Sequence, residues 1–496
     1  MFFRIIRSLV NNMQFTSFSF LLFLPLTALV SYLLPGRFRK YWLLAASWFF
    51  YLTGDRKGAV LLFASCIITY TAARLMDGSS SRNRKKQILA LSLLLHFGIL
   101  YAAKYLNFTL ASIFSAAGKE LHPLNMILPL GISFYTLAAG GYLIDVYRGK
   151  IRAERNFLTY ALFVSFFPAV LSGPIERAGH LIPQLENPKS FDPDMVRDGA
   201  LTMLFGYFMK LVLADRIRIV VDTVYQNPAA YQGTLVVFAV LLYSVQIYCD
   251  FAGYSSIATG AARILGIELM DNFDRPYLSG SVAQFWRRWH RSLSYWFRDY
   301  LYIPLGGSRK GQIRRYLNIL IVFAVSGLWH GAGVTFLFWG FLHGMYQITG
   351  YLLGPLRDKT VRLLHIDRAA LSHRVLKVLV TFVLVSFAWI FFRSPDMQSA
   401  VTIIRSMRGF SPWIFTDGTL YQLGLDMNNM KLLLAGIAML FLHDLLHLRG
   451  ISLKESLARC GIWLRWPLMI ALVLLVTVCG VWGPGYDAST FIYSQF

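Results

Sequence analysis

The chain has 496 residues, 56% of them hydrophobic and only 15% charged, with 48 Lys+Arg against 25 Asp+Glu for a net charge of +23. A soluble protein of this size has no core able to hide so much apolar surface, and the apolar stretches recur along the whole chain, so a soluble domain on one anchor is excluded too. The basic residues fall in short connections between apolar runs, at 37–40, 82–86, 148–155, 309–315 and scattered over 357–377, which is the positive-inside pattern of cytoplasmic loops beside anionic lipid and not the footprint of a nucleic-acid binder.

In chain order, apolar segments fall at 18–34, 41–53, 59–76, 88–107, 125–147, 157–175, 199–222, 234–249, 252–268, 316–330, 334–354, 374–393, 431–447 and 464–482. Several are shorter than the ~20 residues of a full span, so roughly eleven to thirteen membrane elements are expected, some of them re-entrant or interfacial. The first run follows Arg4 and Arg7 but precedes Pro35 and a basic loop, without a small-x-small cleavage site, so it reads as a retained helix. Pro129-Leu-Gly131, Ser172-Gly-Pro174 and Gly331-Ala-Gly333 are candidate breaks, which at membrane depth must be buried in protein or line a wet cavity. The stretch 225–233 has no charge and 410–430 carries Asp417 and Asp426 without a base, so both read as extracytoplasmic. The four cysteines, Cys66, Cys249, Cys460 and Cys479, form no CxxC pair and read as small buried apolar residues. With no linker, soluble domain or internal repeat, residues 1–496 read as one polytopic, all-α domain, its core at about 125–350 and its C-terminal helices at 374–496.

The candidate chemistry lies between Gln284 and Gly344. Read as one helix, 284–302 places Trp286, His290, Leu293 and Phe297 on one face and Arg287, Arg288, Arg291 and Arg298 on the other. An interfacial helix accounts for the arginines but not for a histidine within the apolar face. The turn from Pro304 to Lys310 is glycine-rich and basic; Arg287, Arg288, Arg309 and Lys310 are candidates to hold a phosphorylated donor. His330 then stands among glycines in an apolar segment, preceded by Trp329, and His343 follows. An ionisable side chain at depth marks a functional site by default, against the alternative of a satisfied histidine pinning two helices. If 316–350 were one helix, His330 and His343 would face about 140° apart, so both reach one site only if Gly331–Gly333 breaks it. Elsewhere, His443 and His447 at i, i+4 read as an interfacial helix end and no metal site is expected. Asp250 is expected to pair with an arginine in the bundle, and Glu176 with Arg177 at a membrane edge.

The run FWRRWHRSLSYWFRDYLYIPLGGSRKG followed by GLWHGAGVTFLFWGFLHG resembles the membrane-bound O-acyltransferase (MBOAT) family, and within it the alginate O-acetyltransferase branch. The likeness extends to FSFLLFLPL at 18–26, LPLGISFYT at 128–136, FPAVLSGPIER at 167–177, YCDFAGYSSIATGAARILGI at 248–267 and the final FIYSQF. The D-alanyl-teichoic-acid branch shares the FWRRWH and WHG cores but not the IPLGGSRKG turn.

The resemblance implies that His330 matches the family's catalytic histidine, and His290 a second histidine near the reaction tunnel. His343, Trp329 and Trp289 have supporting parts. It further implies a helical bundle around a central tunnel in the bacterial plasma or inner membrane. No bound cofactor is implied. An acyl-CoA or acyl-carrier thioester is the cytoplasmic donor, a partner acyltransferase stands outside, and a polysaccharide is the acceptor. The chemistry agrees, because acyl transfer to a hydroxyl needs a base and a histidine kept neutral by its apolar setting supplies one. The alternatives are D-alanyl or other acyl transfer to teichoic acid, lipid or protein on the same fold, and a proton-coupled transporter, which the lack of a repeat and the paucity of intramembrane acids disfavour.

Overall fold

The computed structural model describes residues 13–119, 124 and 128–482. Arg4, Arg7, the start of the segment expected at 125–147 and the final FIYSQF lie outside the described residues. Among the described residues every regular element is helical, which is the all-α class expected. Six of the described helices are long and apolar enough to cross a membrane: Arg56–Asp77, Arg82–Ala116, Thr234–Ile264, Leu371–Arg393, Met427–Leu448 and Ile462–Cys479. Their outward faces carry exposed Val60, Leu91, Leu94, Val383 and Val478, a surface that suits lipid and not water. With 35 residues, Arg82–Ala116 is about 50 Å long, so a span's length can pass the bilayer with its basic first turn outside it. The bases at 82–86 are therefore helical and not a loop, and those at 37–40 likewise open the helix Gly36–Gly54.

The described chain forms two compact units, one holding the segments up to Met203 together with Tyr254–Asp271, the other Leu204–Gly253 and the segments from Asn272 on. In the first unit, polar side chains staple apolar helices. Buried Arg39 bonds the Ser31 hydroxyl and the backbone oxygens of Lys189 and Leu265, so a base expected in a solvated loop instead satisfies carbonyls just beyond a helix end. His96 uses both ring nitrogens, Nδ1 at 3.1 Å from the Ser65 hydroxyl and Nε2 at 3.1 Å from the Thr136 carbonyl. At the Pro129–Gly131 break, Asp55 accepts from the N–H groups of Gly58 and Leu130. Gly131 there has φ 70° and its Cα faces the Val170 carbonyl so closely that a Cβ would overlap it. The helix Ile132–Tyr147 starts from that residue. Glu176 accepts from His180 Nδ1 at 2.8 Å and from the Met270 N–H at 2.6 Å, so it pairs with a histidine one helical turn on. The hydrogen bond to Glu176 raises the pKa of the half-exposed His180 ring above its ordinary value, against an opposing effect of burial.

The segments expected at 234–249 and 252–268 prove to be one helix of 31 residues, Thr234–Ile264. Asp250, the residue that divided them in the sequence, does not end the helix because Lys210 neutralises it. Lys210 Nζ lies 2.6 Å from Asp250 and 2.8 Å from Asp215, and all three are buried. The lysine sits in a π-helical turn, Phe208–Ala214, that interrupts the run expected at 199–222. Such wide turns mark places where a side chain displaces the regular ladder. The connections assigned to one side of the membrane also meet: Gly233 N–H donates to the Ser406 carbonyl, and Ser411 N–H to the Thr234 hydroxyl.

Removing one partner of a buried ion cluster leaves charge without compensation. Lys210→Met is expected to destabilise the protein by about 3–5 kcal/mol, whereas Lys210→Met with Asp215→Asn and Asp250→Asn recovers most of the loss. Thermal unfolding of the detergent-solubilised protein measures both, and equal stability of the single and triple variants contradicts the expectation.

Candidate active site

The helix Val282–Arg288 starts at Ser281, whose hydroxyl accepts from Gln284 N–H, and stops one residue before Trp289. His290 then takes a left-handed conformation, φ 42° and ψ 57°, and caps a second helix, Arg291–Phe297. The single amphipathic helix expected over 284–302 is thus broken at its histidine. A left-handed non-glycine residue stores roughly 1–3 kcal/mol of strain and persists only when its surroundings impose it. Here the segment beginning at Asn272 does so. Asp274 N–H donates to the Arg288 carbonyl and Arg291 N–H to the Asn272 carbonyl, both at 2.9 Å. The Asn272 side-chain oxygen accepts from the Ser292 hydroxyl at 2.6 Å and from the Ser292 N–H at 3.3 Å. Despite the break, Trp286, His290, Leu293 and Phe297 are all buried, and Arg287 and Arg298 are exposed.

The helix Gln312–His330 ends on His330, and Val334–Leu352 begins after Gly331–Gly333. The chain reverses there and the two helices pack backbone against backbone. A Cβ on Gly327 would overlap the Phe336 carbonyl, and one on Gly340 the Phe323 carbonyl, the small-residue contact by which apolar helices approach closely. This turn removes the 140° separation a single helix would impose. His330 and His343 both contact the Trp339 ring, each with centroids 5.1 Å apart. On its other flank His330 has Trp329 at 4.8 Å, and Trp329 lies 5.9 Å from His290. The three histidines are therefore linked through two tryptophans, and all three are at most 2% exposed.

Phe251 packs edge-on against His290 at 4.7 Å, and Phe392 against His330 at 5.2 Å. Trp286 donates its indole N–H to His343 Nδ1 at 3.1 Å. Of the other residues singled out in the sequence, Trp289 packs among Phe285, Phe273, Tyr277 and Trp389, one layer from the histidines and not between them. Arg288 donates to the Leu278 carbonyl. Arg287, Arg309 and Lys310 are exposed, the last two in a turn held by Asn318, whose amide donates to the Gly307 carbonyl at 2.9 Å.

Sequence reasoning missed Trp339, Asn272 and Phe392, and placed Trp286 on the face of His290 without giving it a role. Trp339 carried a signal, since it stands four residues before His343 and a buried indole N–H needs a partner. Asn272 and Phe392 carried none, being brought in from distant segments. At the His443–His447 helix end, the Asp444 carboxylate accepts from the Tyr248 hydroxyl at 3.2 Å and lies 3.1 Å from His443 Nδ1. The described residues hold no group of three or more His, Cys, Asp or Glu arranged for a metal ion.

The all-helical membrane fold and its Trp-His-Gly break fit a defined class of integral-membrane enzyme. Residues 146–394 match the model of the membrane-bound O-acyltransferase family. A probable alginate O-acetylase AlgI of Pseudomonas syringae is 35% identical over 87% of this chain and 82% of its own length. One from Pseudomonas putida is 34% identical over 98% of this chain and 100% of its own. A peptidoglycan O-acetyltransferase of Helicobacter pylori is 32% identical over 78% of this chain and 77% of its own. The chain belongs to the membrane-bound O-acyltransferase family, and it is a multi-pass membrane O-acyltransferase.

Asn272 acts on the site through the backbone of residues 290–292. Asn272→Asp keeps an acceptor for Ser292 and is expected to retain most of the stability, whereas Asn272→Leu loses on the order of 1–3 kcal/mol. Unfolding of both variants by heat checks the difference, and a leucine variant as stable as the aspartate variant runs against it.

Proposed function

We propose that this protein transfers an acyl group, in the first instance acetyl, from a cytosolic thioester through the plasma membrane for O-acetylation of a cell-envelope polysaccharide. The observation that carries the reading is His330, buried at the last turn of a helix and at the glycine break, in a chain whose relatives include alginate and peptidoglycan O-acetyltransferases. His330 accepts the proton of the incoming hydroxyl as its oxygen attacks the acyl carbon. The carbon–sulfur bond then breaks, and the same proton passes to the departing thiolate. The carbonyl end of the Gln312–His330 helix favours the positive charge the imidazole carries between these steps. His290, one tryptophan away, shapes the position of that ring. The acceptor hydroxyl belongs either to the glycan or to a serine of a partner acyltransferase on the outer side.

Arg309 and Lys310 are the proposed docking charges for the donor's phosphates. The turn they stand on is exposed and backbone-fixed by Asn318, so its charges are available without disturbing the core.

The reading is tested with the reconstituted protein and labelled acetyl-CoA. His330→Ala is expected to lower transfer by about 10²–10⁴-fold, the usual contribution of a general base, and to remove O-acetyl groups from the envelope glycan in cells. Transfer at wild-type rate by a folded His330→Ala variant contradicts the catalytic assignment. Normal glycan acetylation in cells that express it contradicts the polysaccharide assignment. Arg309→Ala with Lys310→Ala is expected to raise the KM for acetyl-CoA several-fold at constant kcat and to weaken its dependence on salt. An unchanged KM places the donor elsewhere.

A further inference from the structure

The buried nitrogens around His330 are not all used in holding the fold together. His96, in the other unit, shows what a structural histidine looks like, with both ring nitrogens bonded to protein. Buried indoles behave the same way. Trp286 donates to His343 Nδ1 at 3.1 Å and Trp389 donates to the Tyr277 hydroxyl at 3.2 Å. Trp339 and His343 depart from this pattern. Trp339 is fully buried, and its Nε1 has no hydrogen-bond partner among the described residues; the same is true of His343 Nε2. An unpartnered buried donor costs about 1–3 kcal/mol, and two in contacting rings form a concentration of that cost at one place.

The protonation of His343 follows from its neighbour. An indole nitrogen only donates, so His343 Nδ1 accepts from Trp286 and carries no hydrogen. The neutral ring then bears its hydrogen on Nε2. Both unpartnered nitrogens are thus N–H donors. Their rings touch edge-to-face with centroids 5.1 Å apart, and the Trp339 ring is the same distance from His330. The two donors therefore stand on rings in direct contact, beside the ring of His330. The surroundings are apolar, with Phe392, Phe323 and Trp389 packed about them, a setting in which fixed donors act strongly on charge that develops during a reaction.

We propose that Trp339 Nε1–H and His343 Nε2–H are a donor pair that receives the acyl carbonyl oxygen as it turns into an oxyanion beside His330. The assignment rests on His330 as the base. As the hydroxyl oxygen bonds to the acyl carbon, its proton moves to His330 and the carbonyl π electrons move onto oxygen, where the two N–H groups hold them. When those electrons return, the carbon–sulfur bond breaks and His330 gives its proton to the thiolate. Trp286 is the positioning residue, since its N–H selects the tautomer that presents a donor at Nε2. The two donors, which no described residue uses, are engaged when charge appears.

The test uses the full-length reconstituted protein with labelled acetyl-CoA and four variants. Trp339→Phe removes the N–H and keeps a ring. His343→Phe removes the second donor, and His343→Gln replaces it with an amide N–H. His330→Ala reports on the base. Trp339→Phe and His343→Phe are each expected to lower kcat by roughly 10²–10³-fold, the loss typical of one oxyanion donor, with donor KM little changed and His343→Gln retaining more activity than His343→Phe. Wild-type kcat in folded Trp339→Phe and His343→Phe overturns the donor pair while leaving His330 standing. Wild-type kcat in His330→Ala overturns the underlying reading. A measurement on the unmodified protein covers the case in which a variant does not fold: a dithioester analogue of acetyl-CoA, whose C=S accepts hydrogen bonds poorly, is expected to be transferred far more slowly than its uncatalysed reactivity predicts. Transfer in step with that reactivity overturns the proposal.

Discussion

The site depends on a contact without side chains. Between Gln312–His330 and Val334–Leu352, glycines at 327 and 340 bring each helix against a carbonyl of the other. Because apolar helices gain little from the hydrophobic effect in a bilayer, close packing is the main force available to hold them. The approach also sets geometry. It reverses the chain over three residues, so that Trp339 and His343 return beside His330 instead of lying further along the same rod. The rings of Trp286 and Phe392 fill the remaining flanks of the histidines from other helices. With a side chain at Gly327 or Gly340 the helices would separate and the rings would lose register.

Within each unit, buried polar groups take one of two forms. Most are saturated within the protein. Lys210 lies between Asp215 and Asp250, His96 between a hydroxyl and a carbonyl, and Arg39 among three oxygens. These groups fix helix contacts in an environment where an unsatisfied charge or N–H is costly. The donors of Trp339 and His343 are of the other kind, buried and unmatched among the described residues. Histidine occurs in both groups, as His96 and His343 show, so residue type alone does not assign the form.

The strain at His290 belongs to the same division. A left-handed histidine between two short helices is held because Asp274 N–H donates to the backbone before it and Asn272 accepts from the backbone after it. The break turns the second helix so that both its apolar face and that of the first are buried, while the arginines at 287 and 298 stay exposed. A continuous helix would bury one apolar face along a single line. The broken one wraps the histidine and places it within a ring's width of Trp329.

The sequence by itself determined the class of fold, the membrane setting, the glycine breaks and the histidines worth attention, because each is written in local composition. Hydropathy, loop charge and glycine content are read within a window of neighbouring residues. The division of Thr234–Ile264 into two segments failed because the charge at Asp250 is cancelled by a lysine forty positions away. The bond between Glu176 and His180, one helical turn on, was not read from the sequence, because the helix that brings them together starts between them. Only the tertiary structure decided that His290 lies at a break and caps a second helix, that His343 rejoins His330, and that Trp339 and His343 carry donors unmatched among the described residues. Those facts depend on which distant backbone or ring stands against each group, and no pattern along the chain encodes that.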